Sequence, residues 1–211
     1  VPAPCMSALS PEAEKKELRR TFRRLRKEMP AEEKALSDTA IAETFLNSPF
    51  YSRAQTLFVY SSLPQEIDTN RIIHCAWEQG KAVAAPLCDP ETHTMRFYRI
   101  LSADDLRTGA YGILEPDPAR CKPVDPDADS LCLVPGFAFD ENGFLLGYGG
   151  GYYYRFLAFF PGTSVGLCRE NGLVPKLPAD AFDKNVDAVV LENRILIFGK
   201  DTSWKENFEN E

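Results

Sequence analysis

Apolar residues near the start of the chain recur at helical spacing. Leu18, Phe22, Leu25 and Met29 follow one another at i, i+4, i+7 and i+11, which predicts an amphipathic helix. Ser10 followed by a proline is typical of a helix start. Basic residues repeat at the same spacing beside this stripe, so one flank of the helix should present a row of cations. The row consists of Lys15, Arg19, Arg23 and Arg26.

The rest of the chain alternates between helical periodicity and short apolar runs. Two more helices are predicted, over 32–45 with Leu36, Ile41 and Phe45 facing inward, and over 68–79. Seven apolar or β-branched runs predict strands, the last pairing with the one before it. These runs are 56–62, 82–88, 95–100, 131–134, 163–168, 188–191 and 195–198. Segment 115–129 is rich in proline and aspartate, so we expect an irregular surface connection there.

These elements predict an α/β protein. Strands without alternating polarity, separated by helices, are typical of a parallel sheet that is covered on both faces. The 211 residues suit one large α/β domain spanning residues 1–211. We expect 1–9 and 202–211 to be frayed tails of that domain.

Composition and charge exclude several classes of protein. The formal net charge is −7, which argues against nucleic acid as a partner. The charge is unevenly spread, because 12–28 carries +4 and the remaining residues −11. No uncharged run is long enough for a membrane span, and nothing resembles a signal peptide. Six scattered cysteines without a Cys-x-x-Cys pair indicate reduced thiols and no zinc site. We therefore expect a cytoplasmic location.

The most unusual segment carries four glycines within five positions, at Gly147, Gly149, Gly150 and Gly151. Glycine permits positive φ and close approach of backbone N–H groups to a ligand. The apolar run after Tyr152 predicts a helix, and a glycine loop that enters a helix can bind an anion. From the glycines alone, a flexible turn is an equal alternative.

Several segments resemble one known family. Residues 134–140 (VPGFAFD), Gly143 and 146–153 (LGYGGGYY) are similar to the signature of the 5-formyltetrahydrofolate cyclo-ligases, also called 5,10-methenyltetrahydrofolate synthetases. Shorter similarities follow in the expected order, at 15–19, 66–69, 80–81, 95–98, 112–116 and Asp183. The resemblance implies a three-layer α/β fold with a mostly parallel central sheet, similar to the sugar-isomerase and CoA-transferase-like group (NagB/RpiA/CoA-transferase-like).

The resemblance also implies a reaction. In such enzymes the formyl oxygen of 5-formyltetrahydrofolate attacks the γ-phosphate of ATP, and N10 then closes the ring. ADP and phosphate leave as 5,10-methenyltetrahydrofolate forms. The implied partners are therefore a reduced folate, ATP and Mg²⁺, and the implied state is a monomer or weak homodimer.

The resemblance assigns roles to individual residues. Glu66 and Tyr152 would act in catalysis, and Asp183 would bind the metal. ATP would contact Lys15, Arg19, Gly147, Tyr148, Gly149, Gly150, Gly151, Tyr152 and Tyr153. The folate would contact Ser61, Glu66, Tyr148, Gly149, Gly150, Gly151 and Tyr152. Without the resemblance, Glu66 is an ordinary loop carboxylate, and the other basic residues of the first helix are surface charges. His74 and His93 are expected to be structural or surface residues.

Four positions depart from the family pattern. Leu145 stands for a usual arginine, Tyr154 for a metal-binding aspartate, Asn171 for a common glutamine and Phe182 for a frequent histidine. Two hypotheses follow: a working cyclo-ligase with a modified metal site, or a non-catalytic relative that binds nucleotide or folate. A third alternative is an enzyme of another cofactor pathway, such as thiamine metabolism.

Overall fold

A computed structural model describes residues 10–109, 112–178 and 184–199. Both predicted tails lie outside these ranges. The described residues form five α-helices: α1 (Pro11–Glu28), α2 (Ala31–Leu46), α3 (Pro49–Arg53), α4 (Asn70–Glu78) and α5 (Tyr152–Leu157). They also form twelve strands: β1 (Thr56–Phe58), β2 (Ala82–Asp89), β3 (Thr94–Ile100), β4 (Leu106–Thr108), β5 (Leu114–Pro116), β6 (Ser130–Val134), β7 (Ala138–Asp140), β8 (Leu145–Leu146), β9 (Thr163–Leu167), β10 (Leu173–Val174), β11 (Ala188–Val190) and β12 (Ile195–Ile197).

The largest sheet has seven strands in the order β12-β11-β9-β6-β1-β2-β3. The five central strands are parallel, whereas β12 and β3 pair antiparallel at the two edges. The predicted pairing of the last two strands is confirmed. Two smaller sheets, β10-β7-β8 and β4-β5, lie outside the main one.

Alternate residues of the central strands enter two separate cores, because successive side chains point to opposite faces. Leu57 and Leu131 join the core that includes α2, α3 and α4, while Phe58 and Cys132 join the core that includes α5. With both faces covered, strands need apolar residues at every position. The predicted three-layer architecture is confirmed.

Some expectations from the sequence were wrong. Leu36 of α2 was predicted to face the core but is 68% exposed. Segment 115–129 was predicted to be irregular, yet Glu115 and Pro116 lie in β5, which pairs antiparallel with β4. The predicted strand over 56–62 ends at Phe58, although the next two residues remain buried. Strands β7, β8 and β10 are only two or three residues long and left no periodic signal.

Three neighbouring strands end at the same edge of the sheet. The segment after β1 carries Glu66, the residues after β6 include Gly136, and Arg169 follows β9. Carboxyl ends of parallel strands are where ligands bind in open α/β sheets. The topology thus gathers residues that are far apart in the sequence.

The sequence predicts a chain without a membrane span and with reduced thiols. Within the described ranges, no helix has the length and apolar character needed to cross a bilayer. The five cysteines of the described chain are free thiols, three of them buried. Burial raises the pKa of the Cys88 thiol to about 11, so this group stays protonated near neutral pH.

Close packing between β9 and β7 gives a test of the fold. A Cβ added at Gly166 would lie 2.4 Å from the buried ring of Phe139. We expect Gly166→Ala to lower the free energy of unfolding by about 1–3 kcal/mol, because neither the added methyl group nor the buried ring has room to move. Urea denaturation measures the loss. Thr163→Ala, at the half-buried start of the same strand, is the control, and equal effects of the two substitutions would contradict the packing argument.

Candidate active site

Helix α1 lies against the segment that precedes the glycine loop. Phe22 is buried in a small cluster with Phe137, Ala138, Leu146 and Leu177. This contact turns the predicted cationic flank of α1 toward the loop. Lys15 on the same helix is only 5% exposed, which is unusual for a lysine.

The glycine loop (147–151) has a backbone that other residues rarely adopt. Gly149 and Gly151 have φ of +102° and +73°. Arg19 Nε donates a hydrogen bond of 2.9 Å to the Gly147 carbonyl, and Arg155 donates one of 3.1 Å to the Gly150 carbonyl. Helix α5 after the loop has six residues, so its dipole is small, and the positive charge near the loop comes mainly from arginine side chains.

Arg26 connects α1 to both the loop and the end of β6. One guanidinium nitrogen donates a 2.8 Å hydrogen bond to the Tyr148 hydroxyl, and the other donates to the Gly136 and Phe137 carbonyls. The guanidinium also lies 5.0 Å from the centre of the Phe137 ring. Arg26 was predicted to be a surface charge, which is wrong. Its place on the flank of Arg19, seven residues earlier, was the signal that could have identified it.

Glu66 is buried, with 7% exposure, beside the same tyrosine. Its carboxylate accepts a 2.7 Å hydrogen bond from the Leu63 N–H. The pKa of Tyr148 is raised, mainly by burial of its hydroxyl; Arg26 opposes this increase, while the charge of Glu66 adds to it. Arg26 thus binds Tyr148, and the buried Glu66 lies near the same phenol.

The two following tyrosines have different surroundings. Tyr152 packs against the loop, because a Cβ at Gly150 would lie 2.8 Å from its ring, and its centroid is 5.7 Å from that of His93. His93 is exposed, as expected of a surface residue, and lies beside Tyr152. The Tyr153 hydroxyl is buried and has no hydrogen-bond partner within the described residues. Burial is the main cause that raises its pKa, with a smaller effect from Glu66.

The remaining residues singled out in the sequence follow β1 or β9, or lie outside the described ranges. Ser61 is half-buried in the segment after β1 that also carries Glu66. Asn171 lies in a short 3₁₀ turn, Glu170–Gly172, after β9. Asp183, predicted to bind the metal, and Phe182 lie outside the described residues.

The two remaining departures from the family pattern have structural roles. Leu145 is 4% exposed and belongs to the core beneath the loop. The Tyr154 hydroxyl donates a 2.6 Å hydrogen bond to the Leu145 carbonyl. A phenol committed to this contact is a poor magnesium ligand. The described ranges contain no cluster of three or more carboxylate, histidine or cysteine side chains that could hold a metal.

Comparison with known proteins settles the family. The model of the 5-formyltetrahydrofolate cyclo-ligase family matches residues 11–192. The chain belongs to this family. A probable 5-formyltetrahydrofolate cyclo-ligase of Caenorhabditis elegans is 30% identical over 201 residues, covering 87% of this chain and 95% of that protein. A protein of the same description from Schizosaccharomyces pombe is 28% identical over 173 residues, covering 74% and 84%.

A solved structure agrees with this family membership. The 5,10-methenyltetrahydrofolate synthetase of Aquifex aeolicus superposes with a TM-score of 0.77 at 29% identity, over 90% of this chain and 95% of that one. The resemblance found in the sequence and the fold that it implied are both confirmed. The family is one of ligases, so membership supports an enzyme of folate metabolism.

The contact between Tyr154 and Leu145 predicts the effect of restoring the family residues. We expect Leu145→Arg to lower the free energy of unfolding by about 3–5 kcal/mol, because the arginine would be buried without a partner. Tyr154→Phe, which removes one hydrogen bond, should cost only about 1 kcal/mol. Chemical denaturation compares the two. A double variant, Leu145→Arg with Tyr154→Asp, that keeps wild-type stability and gains magnesium affinity would contradict this expectation.

Proposed function

We propose that the protein closes the ring of 5-formyltetrahydrofolate to 5,10-methenyltetrahydrofolate at the expense of ATP, releasing ADP and phosphate. The observation that carries the proposal is the position of Tyr148, which accepts a hydrogen bond from Arg26 and lies near the buried Glu66. It brings a buried carboxylate to a glycine loop that basic residues surround. The basic residues at the glycine loop suit an anionic ligand, and the buried carboxylate suits a second ligand that develops positive charge.

The ATP phosphates would lie against the glycine loop, near Lys15 and Arg19. The loop's glycines admit close approach of phosphate oxygens to the backbone, and the two cations neutralise their charge. Phosphoryl transfer to the formyl oxygen needs in-line positioning and charge neutralisation rather than a protein nucleophile. Tyr152 and Tyr153 would border the junction of the two substrates.

The folate would place its N5-formyl group near Glu66, with Ser61 on the same segment and Tyr148 opposite. The formyl oxygen forms a bond to the γ-phosphorus as ADP leaves. N10 then bonds to the formyl carbon, its N–H proton passes to solvent, and phosphate leaves. The methenyl product carries a positive charge on this carbon and its two nitrogens. A buried carboxylate stabilises such charge as it develops, which is the catalytic role that we assign to Glu66.

Mg²⁺, which would neutralise phosphate charge, is proposed to be held by the ATP phosphates, water and Asp183. We further propose a cytoplasmic location and a monomer or weak homodimer.

The second candidate function is that of a relative that binds nucleotide or folate without turnover. The observation in its favour is Tyr154, whose hydroxyl donates a hydrogen bond to the Leu145 carbonyl where the family pattern has a metal-binding aspartate.

Turnover is the first test of the proposed function. Purified protein with Mg-ATP and 5-formyltetrahydrofolate should generate the absorbance of the methenyl product. Glu66→Gln should lower kcat about 100-fold, because the neutral amide no longer stabilises the developing charge. Glu43→Gln on α2, which breaks an exposed ion pair with Arg71 on α4, is the control and should leave kcat unchanged. Binding of ATP without any turnover by the wild-type protein would favour the second candidate.

Nucleotide binding is tested separately. We expect Lys15→Ala and Arg19→Ala each to weaken ATP binding in titration calorimetry, because each removes a cation from the loop. Arg24→Ala on the opposite flank, where Arg24 is exposed and 4.0 Å from Glu28, should leave the affinity almost unchanged. An equal loss in all three variants would mean that only the net charge of α1 matters.

A further inference from the structure

A buried ion pair lies behind the segment that carries Glu66. Asp38 on α2 and Arg169 after β9 are 131 residues apart, and an Arg169 guanidinium nitrogen donates to Asp38 Oδ1. Their side chains are only 7% and 5% exposed. Lys34 Nζ lies 2.5 Å from Asp38 Oδ2 and is itself partly buried. Two formal charges are thus removed from water, at a cost that their attraction offsets only when the geometry is good.

The pair holds the backbone on both sides of residue 67. Asp38 Oδ2 accepts a 3.2 Å hydrogen bond from the Asp68 N–H, and the same Arg169 nitrogen lies 3.4 Å from the Glu66 carbonyl oxygen. Between these two contacts, the Ile67 carbonyl accepts a bond of 3.1 Å from the Tyr60 hydroxyl. Three consecutive residues of this segment are therefore bonded to buried side chains.

Stability alone does not account for such a pair. A buried ion pair is often no more stabilising than apolar side chains of similar volume. Apolar side chains cannot form hydrogen bonds to backbone groups. The bonds that Asp38 and Arg169 make to the backbone fix the position from which the Glu66 side chain extends. The Leu63 N–H, which donates a 2.7 Å hydrogen bond to the carboxylate, then completes its orientation.

We infer that Asp38 and Arg169 are positioning residues that fix Glu66 for its contact with the folate. The inference rests on the proposed function, in which Glu66 stabilises charge on the reacting formyl group. Misplacing a catalytic group by about 1 Å can cost about 100-fold in rate. The ATP groups lie on α1 and the glycine loop, so the pair should affect the folate half of the reaction.

Kinetics of single variants test this division. Arg169→Met and Asp38→Asn should each lower kcat/KM for 5-formyltetrahydrofolate by about 10- to 100-fold. The affinity for ATP should stay within about twofold, as for sites without shared contacts. Arg194→Met is the matched control, because it removes a neighbouring exposed pair, Arg194 with Glu170 at 2.9 Å, and it should change neither quantity. Wild-type kcat/KM in both single variants would overturn the inference.

A double variant separates positioning from stability. Asp38→Leu with Arg169→Met replaces both charges by apolar groups and should recover most of any thermal stability that the single variants lose. Its kcat/KM for the folate should remain low, because the backbone bonds are still missing. Recovery of kcat/KM together with the Tm would show a purely structural role and overturn the inference.

Hydrogen exchange tests the positioning without turnover. In Arg169→Met, the amides of Leu63 and Asp68 should exchange about tenfold faster than in the wild-type protein, while that of Ile73 in α4 keeps its rate. Unchanged exchange at both amides would overturn the inference even if the wild-type protein proved inactive. Absence of turnover in the wild-type protein, with the expected change in exchange, would instead count against the proposed function alone.

Discussion

A loop built of glycine has few side chains with which to fix its own shape, and the rest of the candidate site depends on how neighbouring residues supply that constraint. Arginines from the helices on either side bind the loop's carbonyl oxygens, Arg19 at Gly147 and Arg155 at Gly150. The same guanidinium groups provide positive charge beside the proposed phosphate site. Shape and charge are therefore linked, and a substitution at Arg19 acts on both at once.

The central sheet supplies the second constraint. Because β9, β6 and β1 are neighbours and parallel, the segments that follow them meet at one edge although they are widely separated in sequence. Interiors packed from both faces deform little, so these strand ends give the polar groups a rigid base. Arg26 uses that base by bonding to two carbonyls after β6, and Arg169 does so from the end of β9.

Much of this arrangement could be predicted from the sequence. Helical periodicity placed Lys15, Arg19 and Arg26 on one flank of α1, and the family resemblance identified the glycine loop and Glu66. Periodicity could not show which cations of that flank contact other segments of the chain, so Arg26 was predicted to lie on the surface. Leu36 was misplaced for a similar reason, since spacing along α2 does not reveal which face the sheet covers.

Other features had no local signal at all. Asp38 and Arg169 come together only because α2 packs beside the end of β9, and neither residue belongs to a recognisable motif. The resemblance placed Leu145 in the position of a phosphate-binding arginine, whereas the side chain fills the core beneath the loop. The direction and surroundings of this side chain depend on tertiary packing, which the motif does not record.

The partnership of α1 with the glycine loop also has a consequence for how the chain folds during synthesis. Arg19 and Arg26 bind carbonyls that lie 110 to 128 residues later in the chain. At about 5–20 residues per second, ribosomes need roughly 5–25 s to make that length. During this interval the apolar stripe of α1, including Phe22, has no native surface to cover it. Helix α1 is thus made well before the surface on which it docks, and its many charges help to keep it soluble during that interval.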